Sequence, residues 1–150
     1  MGLDMYLNAE EYLSEYDERN KELIEAIKQN AVKGLNEFRP KNVSFELAYW
    51  RKANAIHGWF VKNVQDSKDD CNSYYVPLEK LQELKETCEK VLANNELAHE
   101  LLPATKGFFF GSNEYDEYYE HDLQKTVLIC DKILSNPNAR KWWIEYRASW

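Results

Sequence analysis

Leu3-Asp4-Met5-Tyr6-Leu7-Asn8-Ala9-Glu10 alternates apolar and polar side chains without a break. A period of two over that length predicts a half-buried strand. The opposite end of the chain carries a second run of strand formers, Lys141-Trp142-Trp143-Ile144-Glu145-Tyr146-Arg147, placed after the breaker Asn136-Pro137-Asn138. The two terminal segments are expected to pair antiparallel, with Asp4 and Tyr6 facing Arg147 or Lys141 across the strands.

Between these ends the spacing turns helical. Leu23, Ile24, Ile27, Ala31, Leu35 and Phe38 predict a helix from Asp17 to Phe38 that stops at Arg39-Pro40. Phe45, Tyr49, Ala53, Ile56, Phe60 and Val64 predict a second, from about Ser44 to Val64, capped by Ser44. Gln65 to Ser73 is a polar loop, Tyr74-Tyr75-Val76 a short strand, and Pro77 opens a third helix buried through Leu81, Leu84, Cys88 and Val91 or Leu92. After Ser112-Asn113 a fourth helix carries Tyr119, Leu123, Val127, Cys130 and Leu134, with Glu114, Asp116 and Glu117 in its first turn. The predicted class is α+β: about four helices and a small antiparallel sheet built largely from the N- and C-terminal strands, in a single domain spanning 1–150.

A chain of 150 residues can bury one core. Its net charge of −7 argues against a protein that grips duplex nucleic acid, which needs a basic surface. The three cysteines are odd in number and widely spaced, with no CxxC pair. Cys88 and Cys130 read as small core residues and Cys71 as a loop residue, all reduced, as in a cytoplasmic protein. No apolar run approaches the ~20 residues of a membrane span. The start lacks signal-peptide features, and at Met1-Gly2 Tyr6 stands where myristoylation wants Ser or Thr.

The aromatic residues come in tight blocks, and adjacent bulky rings cannot share one apolar stripe. Some must fill a second packing layer or line a cleft. On the expected second helix Trp50, Asn54, His57 and Val61 recur at helical spacing on a stripe apart from the core face, with Arg51 and Lys52 beside the first turn. A ring for stacking, an amide, an imidazole and a guanidinium are the groups that hold a nucleotide-like ligand. The candidate ligand-binding set is therefore Trp50, Arg51, Asn54 and His57, closed by Tyr74, Tyr75 and Phe109. The competing reading packs Trp50 beneath another helix, bonds Asn54 and His57 to neighbouring backbone, and pairs Arg51 with an acid.

Phe108-Phe109-Phe110 lies between Gly107 and Gly111, which allow unusual backbone angles and close approach. If the segment is extended, Phe108 and Phe110 share one face and Phe109 takes the other. Plain packing competes with an aromatic wall beside a cleft. The spacings Asp116/Glu120 and Glu117/His121 raise a metal site, but no HExxH or DxDxDG pattern accompanies them, and a solvated acidic face is the stronger reading. No metal, cofactor or catalytic residue is expected. Gly111-Ser112 is not a nucleophile elbow, and the five glycines form no phosphate loop.

Met1-Gly2-Leu3-Asp4-Met5-Tyr6-Leu7, Tyr49 to His57 with Trp59-Phe60, Tyr74-Tyr75-Val76, Leu101-Leu102-Pro103, Gly107 to Ser112 and Glu114 to Glu117 occur in that order. This set resembles a group of small bacteriophage and prophage proteins that open with Met-Gly-Leu-Asp-Met-Tyr-Leu. Ser14 to Asn42 lies outside the matching blocks. The group brings no mechanism with it. A phage origin implies a viral protein of the host cytoplasm engaged in host interaction, including a possible anti-defence role.

The expected function is a non-enzymatic binding protein that binds or sequesters a host factor or a nucleotide-derived small molecule. The alternative is a small enzyme acting on a nucleotide-like substrate, with His57 as acid and base.

Overall fold

The computed structural model describes residues 2–150; Met1, part of the opening motif, lies outside the described residues. Four strands make one antiparallel sheet in the order β2-β1-β4-β3, with β1 spanning Asp4–Tyr12, β2 Asn42–Arg51, β3 Tyr74–Tyr75 and β4 Trp143–Ser149. The terminal strands β1 and β4 are neighbours in its centre, so the α+β class and the pairing of the two ends stand as expected. Alternate residues Met5, Leu7, Ala9, Ile144, Tyr146 and Ala148 are buried, as a half-buried sheet requires.

Among the described residues five α-helices accompany the sheet, one more than expected: α1 Glu18–Asn30, α2 Asn54–Asn63, α3 Leu78–Ala93, α4 Ala98–Leu101 and α5 Glu117–Leu134. The extra one is the single turn α4. Pro77 stands at the N-cap of α3, and Leu81, Leu84, Cys88 and Val91 are its buried face. The Asp116 carboxylate caps α5 by accepting from the Tyr118 and Tyr119 N–H groups, three residues later than Ser112-Asn113.

The expected second helix is half strand. Residues 42–51 form β2, and only Asn54–Asn63 is helical. Phe45, Tyr49, Ala53 and Ile56 fit a helical stripe, but Val43, Phe45, Leu47 and Tyr49 alternate with Asn42, Ser44, Glu46 and Ala48 at period two. Pairing to β1, with Lys52 N–H on Leu3 O at 2.7 Å, decides between the two. Lys52 then turns the chain at φ +59°, a left-handed angle that blocks continuation of either element.

The first helix also stops early. Ala31 is extended, and turns follow, with Gly34 at φ +91°, so α1 ends at Asn30 rather than Phe38.

One face of the sheet meets the helices. The Trp50 indole Nε1 donates to Thr126 Oγ1 on α5 at 3.0 Å, and the Tyr146 ring stacks on Phe60 of α2 at 3.9 Å. On the other face lie the tilted ring pairs Tyr6–Tyr49 and Tyr75–Trp143. The Asp4 carboxylate accepts from Tyr49 OH and lies 4.0 Å from Arg51, so its partners are on β2 rather than β4. Arg147 instead donates to Cys71 O.

The chain divides into two compact units: residues up to Ala9 with Glu46–Trp150, and Glu10–Phe45. The first contains nearly all of the core, including Cys88 and Cys130, whose thiols burial pushes upward, that of Cys130 to about 12. All three cysteines are free. No helix among the described residues is long and apolar enough to cross a membrane.

Gly58 on α2 illustrates the packing density. A Cβ there would lie 2.1 Å from Thr105 Oγ1 but 3.4 Å from Thr105 Cβ. Gly58→Ala should destabilise the protein by about 1–3 kcal/mol through overpacking. Adding Thr105→Ala should recover most of that loss in a urea-melt comparison, because the clashing hydroxyl is gone.

Candidate functional site

Seven side chains form the candidate ligand-binding set, and the structure does not bring them to one pocket. Trp50 sits on β2 rather than on a helix and is buried against α5. Asn54 opens α2, but its amide is fully engaged. Nδ2 donates to Phe110 O at 3.1 Å and Ser112 O at 2.7 Å, while Oδ1 accepts the Thr105 N–H at 2.9 Å. Asn54 therefore holds the 105–112 loop against α2.

His57 is 0% exposed. Its Nε2 lies 3.0 Å from Asp69 Oδ1 and its Nδ1 2.8 Å from Tyr146 OH. A carboxylate only accepts, so Nε2 carries the proton, and Nδ1 accepts the Tyr146 hydroxyl. Burial raises the tyrosine pKa well above its ordinary value and lowers that of the imidazole, which keeps this neutral arrangement in place. The ring also packs edge-on against Phe110 at 5.2 Å and near Trp150. Asp69 belongs to a loop with left-handed angles at Asp66, Ser67 and Cys71, so His57 helps hold a strained segment.

Tyr74 donates its hydroxyl to Asp70, and the Tyr75 ring lies tilted against Trp143 at 4.4 Å. Phe109 accepts the Leu3 N–H at its backbone oxygen, and its ring meets Phe108 edge-on. The Phe run is not extended. The Phe110 N–H bonds to Gly107 O, and this turn leaves Phe108 95% exposed while Phe110 is buried. Gly107 fits because a Cβ would strike the Phe110 ring at 2.6 Å, and Gly111 adopts φ +88°.

Of the seven, Arg51 and Asn54 border a common cleft, about 270 Å³, at the start of α2. Lys52, Ser112, Asp116 and Asp122 complete its walls. Ala53 gives α2 no side-chain cap, and the basic Arg51 and Lys52 adjoin that end. Glu114, Asp116 and Asp122 line the same cleft. Burial pushes the Asp122 carboxyl up to about 6, against smaller opposing effects of His121 and Lys125. Among the described residues no group of three or more His, Cys, Asp or Glu side chains is placed to hold a metal ion.

The raised Asp122 value has a definite sign. Its folded pKa lies above the ordinary 3.8, so the stability it contributes is complete below that value and is lost as pH rises through about 6. Asp122→Asn should therefore stabilise the chain at pH 8 by about 1 kcal/mol, allowing for partial exposure. The gain should shrink as pH falls through about 6 and vanish below about pH 4 in melting curves taken across that range.

The largest feature that the sequence did not reveal is the Glu10–Phe45 unit. Among its apolar side chains only Leu13 belongs to the buried core. Tyr16 is 90% exposed, Val32 74% and Phe38 66%, and α1 has no buried residue. Polar contacts organise it: Arg39 reaches Leu13 O, Tyr12 OH and Glu15, and Asn20 reaches Ser14 O. Among the described residues, seven of the thirteen exposed large apolar side chains fall in this quarter of the chain. A plain helical period from Asp17 onward concealed this, because it predicts a buried stripe without saying whether this chain supplies the cover.

The molecule thus belongs to the α+β class, with a helix-covered sheet and a second unit lacking a core of its own. Comparison of the chain with protein-family models, curated proteins and solved structures finds no match.

Proposed function

We propose that the chain is a non-enzymatic binding protein that grips a protein partner through the Glu10–Phe45 unit. The observation that carries this is the unit's unburied apolar surface: Leu23, Val32, Leu35, Phe38 and Phe45 are exposed. Isolated helices of this length are marginal in water and owe their stability to packing of an apolar face. Large exposed apolar side chains concentrated in one segment favour an interaction site there. The resemblance to phage proteins favours a host factor as that partner, consistent with an anti-defence role. The closed surroundings of His57 weigh against the enzymatic alternative, since an acid or base must reach its substrate.

The test is side-by-side capture from bacterial lysate with the intact chain and with Leu35→Asp/Phe38→Asp, both exposed positions whose change should leave the melting temperature nearly unaltered. A protein recovered in stoichiometric amount with the intact chain alone is expected. Equal recovery by both would overturn the reading.

A second reading keeps the small-molecule role for the cleft at the start of α2, supported by Arg51, Lys52 and the uncapped helix end. It requires Arg51→Ala to leave folding intact and to abolish any thermal shift given by a nucleotide panel.

A further inference from the structure

β2 is the outer strand of the sheet, and a groove beside α5 is lined by Glu46 and Leu47 of β2, by α5 and by Trp142. Lys52 donates its N–H inward to Leu3 O, and Tyr49 O faces outward to accept Lys125 Nζ at 2.6 Å. Since burial alternates regularly over Leu47, Ala48, Tyr49 and Trp50, the N–H and C=O of Leu47 point outward as well. One outward carbonyl is therefore covered by a lysine, a common device for blunting a sheet edge, while the next residue along is left for another strand.

The groove holds about 500 Å³ and touches both Glu46 and Leu47. Consecutive strand residues project to opposite faces, so a cavity touching both meets the backbone of β2 between them. Its apolar lining includes Ile129, Trp142 and Leu128, the last 70% exposed. Lys125 and Lys132 stand on its α5 wall against the single carboxylate of Glu46, a locally basic spot on a chain of net charge −7.

We propose that the edge of β2 and the groove beside α5 bind an extended peptide segment of a partner protein by strand addition. The segment places a large apolar side chain over Leu128 and Trp142 and a carboxylate near Lys132. Backbone bonds to Leu47 supply the pairing, and the apolar lining and lysine supply the selectivity, as in other strand-addition sites. The groove is lined wholly by residues after position 45, so this inference is separate from the Glu10–Phe45 surface.

Selection of short peptides from a phage-displayed library on the intact chain tests it, followed by titration of the enriched peptides. Acidic sequences with one or two large apolar residues are expected. Leu47→Pro removes an outward N–H at an edge position where proline is tolerated, and also trims a side chain packed against the core. Assayed well below its own melting temperature, it should weaken binding about ten-fold. Lys132→Glu and Leu128→Asp should weaken it similarly. No enrichment, or enriched peptides that bind Leu47→Pro as well as the intact chain, would overturn the proposal. Sedimentation showing a dimer that Leu47→Pro dissociates would also overturn it, by assigning the edge to a second copy.

Discussion

A chain ending at Trp142 is expected not to fold. The lost strand β4 lies between β1 and β3 and carries Ile144, Tyr146 and Ala148 into the core. Burial of a large side chain contributes about 1.5–3 kcal/mol, and Ile144 and Tyr146 together reach about 3–6. The truncation also exposes the edge of β1, unstacks Phe60 and leaves His57 without the Tyr146 hydroxyl. Against a typical total stability of about 5–15 kcal/mol the sum leaves no folded state to measure. Circular dichroism and amide dispersion of the truncated chain check this. A cooperative melt near that of the intact chain would show that the terminal strands are not the centre of the sheet.

His57→Leu should cost about 3–5 kcal/mol. The imidazole satisfies two partners at once, and its removal leaves the buried Tyr146 hydroxyl without an acceptor. The double variant His57→Leu/Tyr146→Phe should recover about 1–2 kcal/mol relative to the additive sum, because no orphaned polar atom remains. Additive costs in urea melts would mean that the pair is not coupled. The pH dependence of the intact chain carries the same signature. Burial lowers the imidazole pKa below its ordinary 6.5, so the unfolded chain takes up a proton more readily than the folded one. Stability from this group is complete above pH 6.5 and is lost as pH falls through the depressed value. Asp122 changes in the opposite sense, so the acid-side loss should steepen in Asp122→Asn and largely disappear in His57→Leu.

The alternation from Leu3 to Ala9 and the helical stripe of α3 were legible because one periodicity alone fits each. The stretch from Val43 to Tyr49 satisfies two periodicities, and only the long-range pairing of Lys52 with Leu3 selects the strand. That one ambiguity also removed the supposed stripe of Trp50, Asn54 and His57, since Trp50 and His57 belong to different elements. The aromatic blocks did mark a second packing layer: Phe60 on Tyr146, Phe110 against His57 and Trp150. Polar residues amid those rings resembled a ligand site, whereas the Asn54 amide and the His57 ring fasten the 105–112 and 64–73 loops to α2. Composition cannot distinguish a polar group that awaits a ligand from one already bonded to distant backbone. Nor could it tell that α1, with an ordinary apolar spacing, lacks a covering surface.

Amide hydrogen exchange along α1 bears most directly on the proposed binding role. In the free chain the amides of Glu18–Asn30 should exchange through openings costing only a small part of the global free energy, while those of α3 and α5 approach the global value. In the complex recovered with the captured partner, protection should rise across residues 10–45. Amides of α1 in the free chain as strongly protected as those of α5, and unchanged in the complex, would contradict the proposal that this unit is built for a partner.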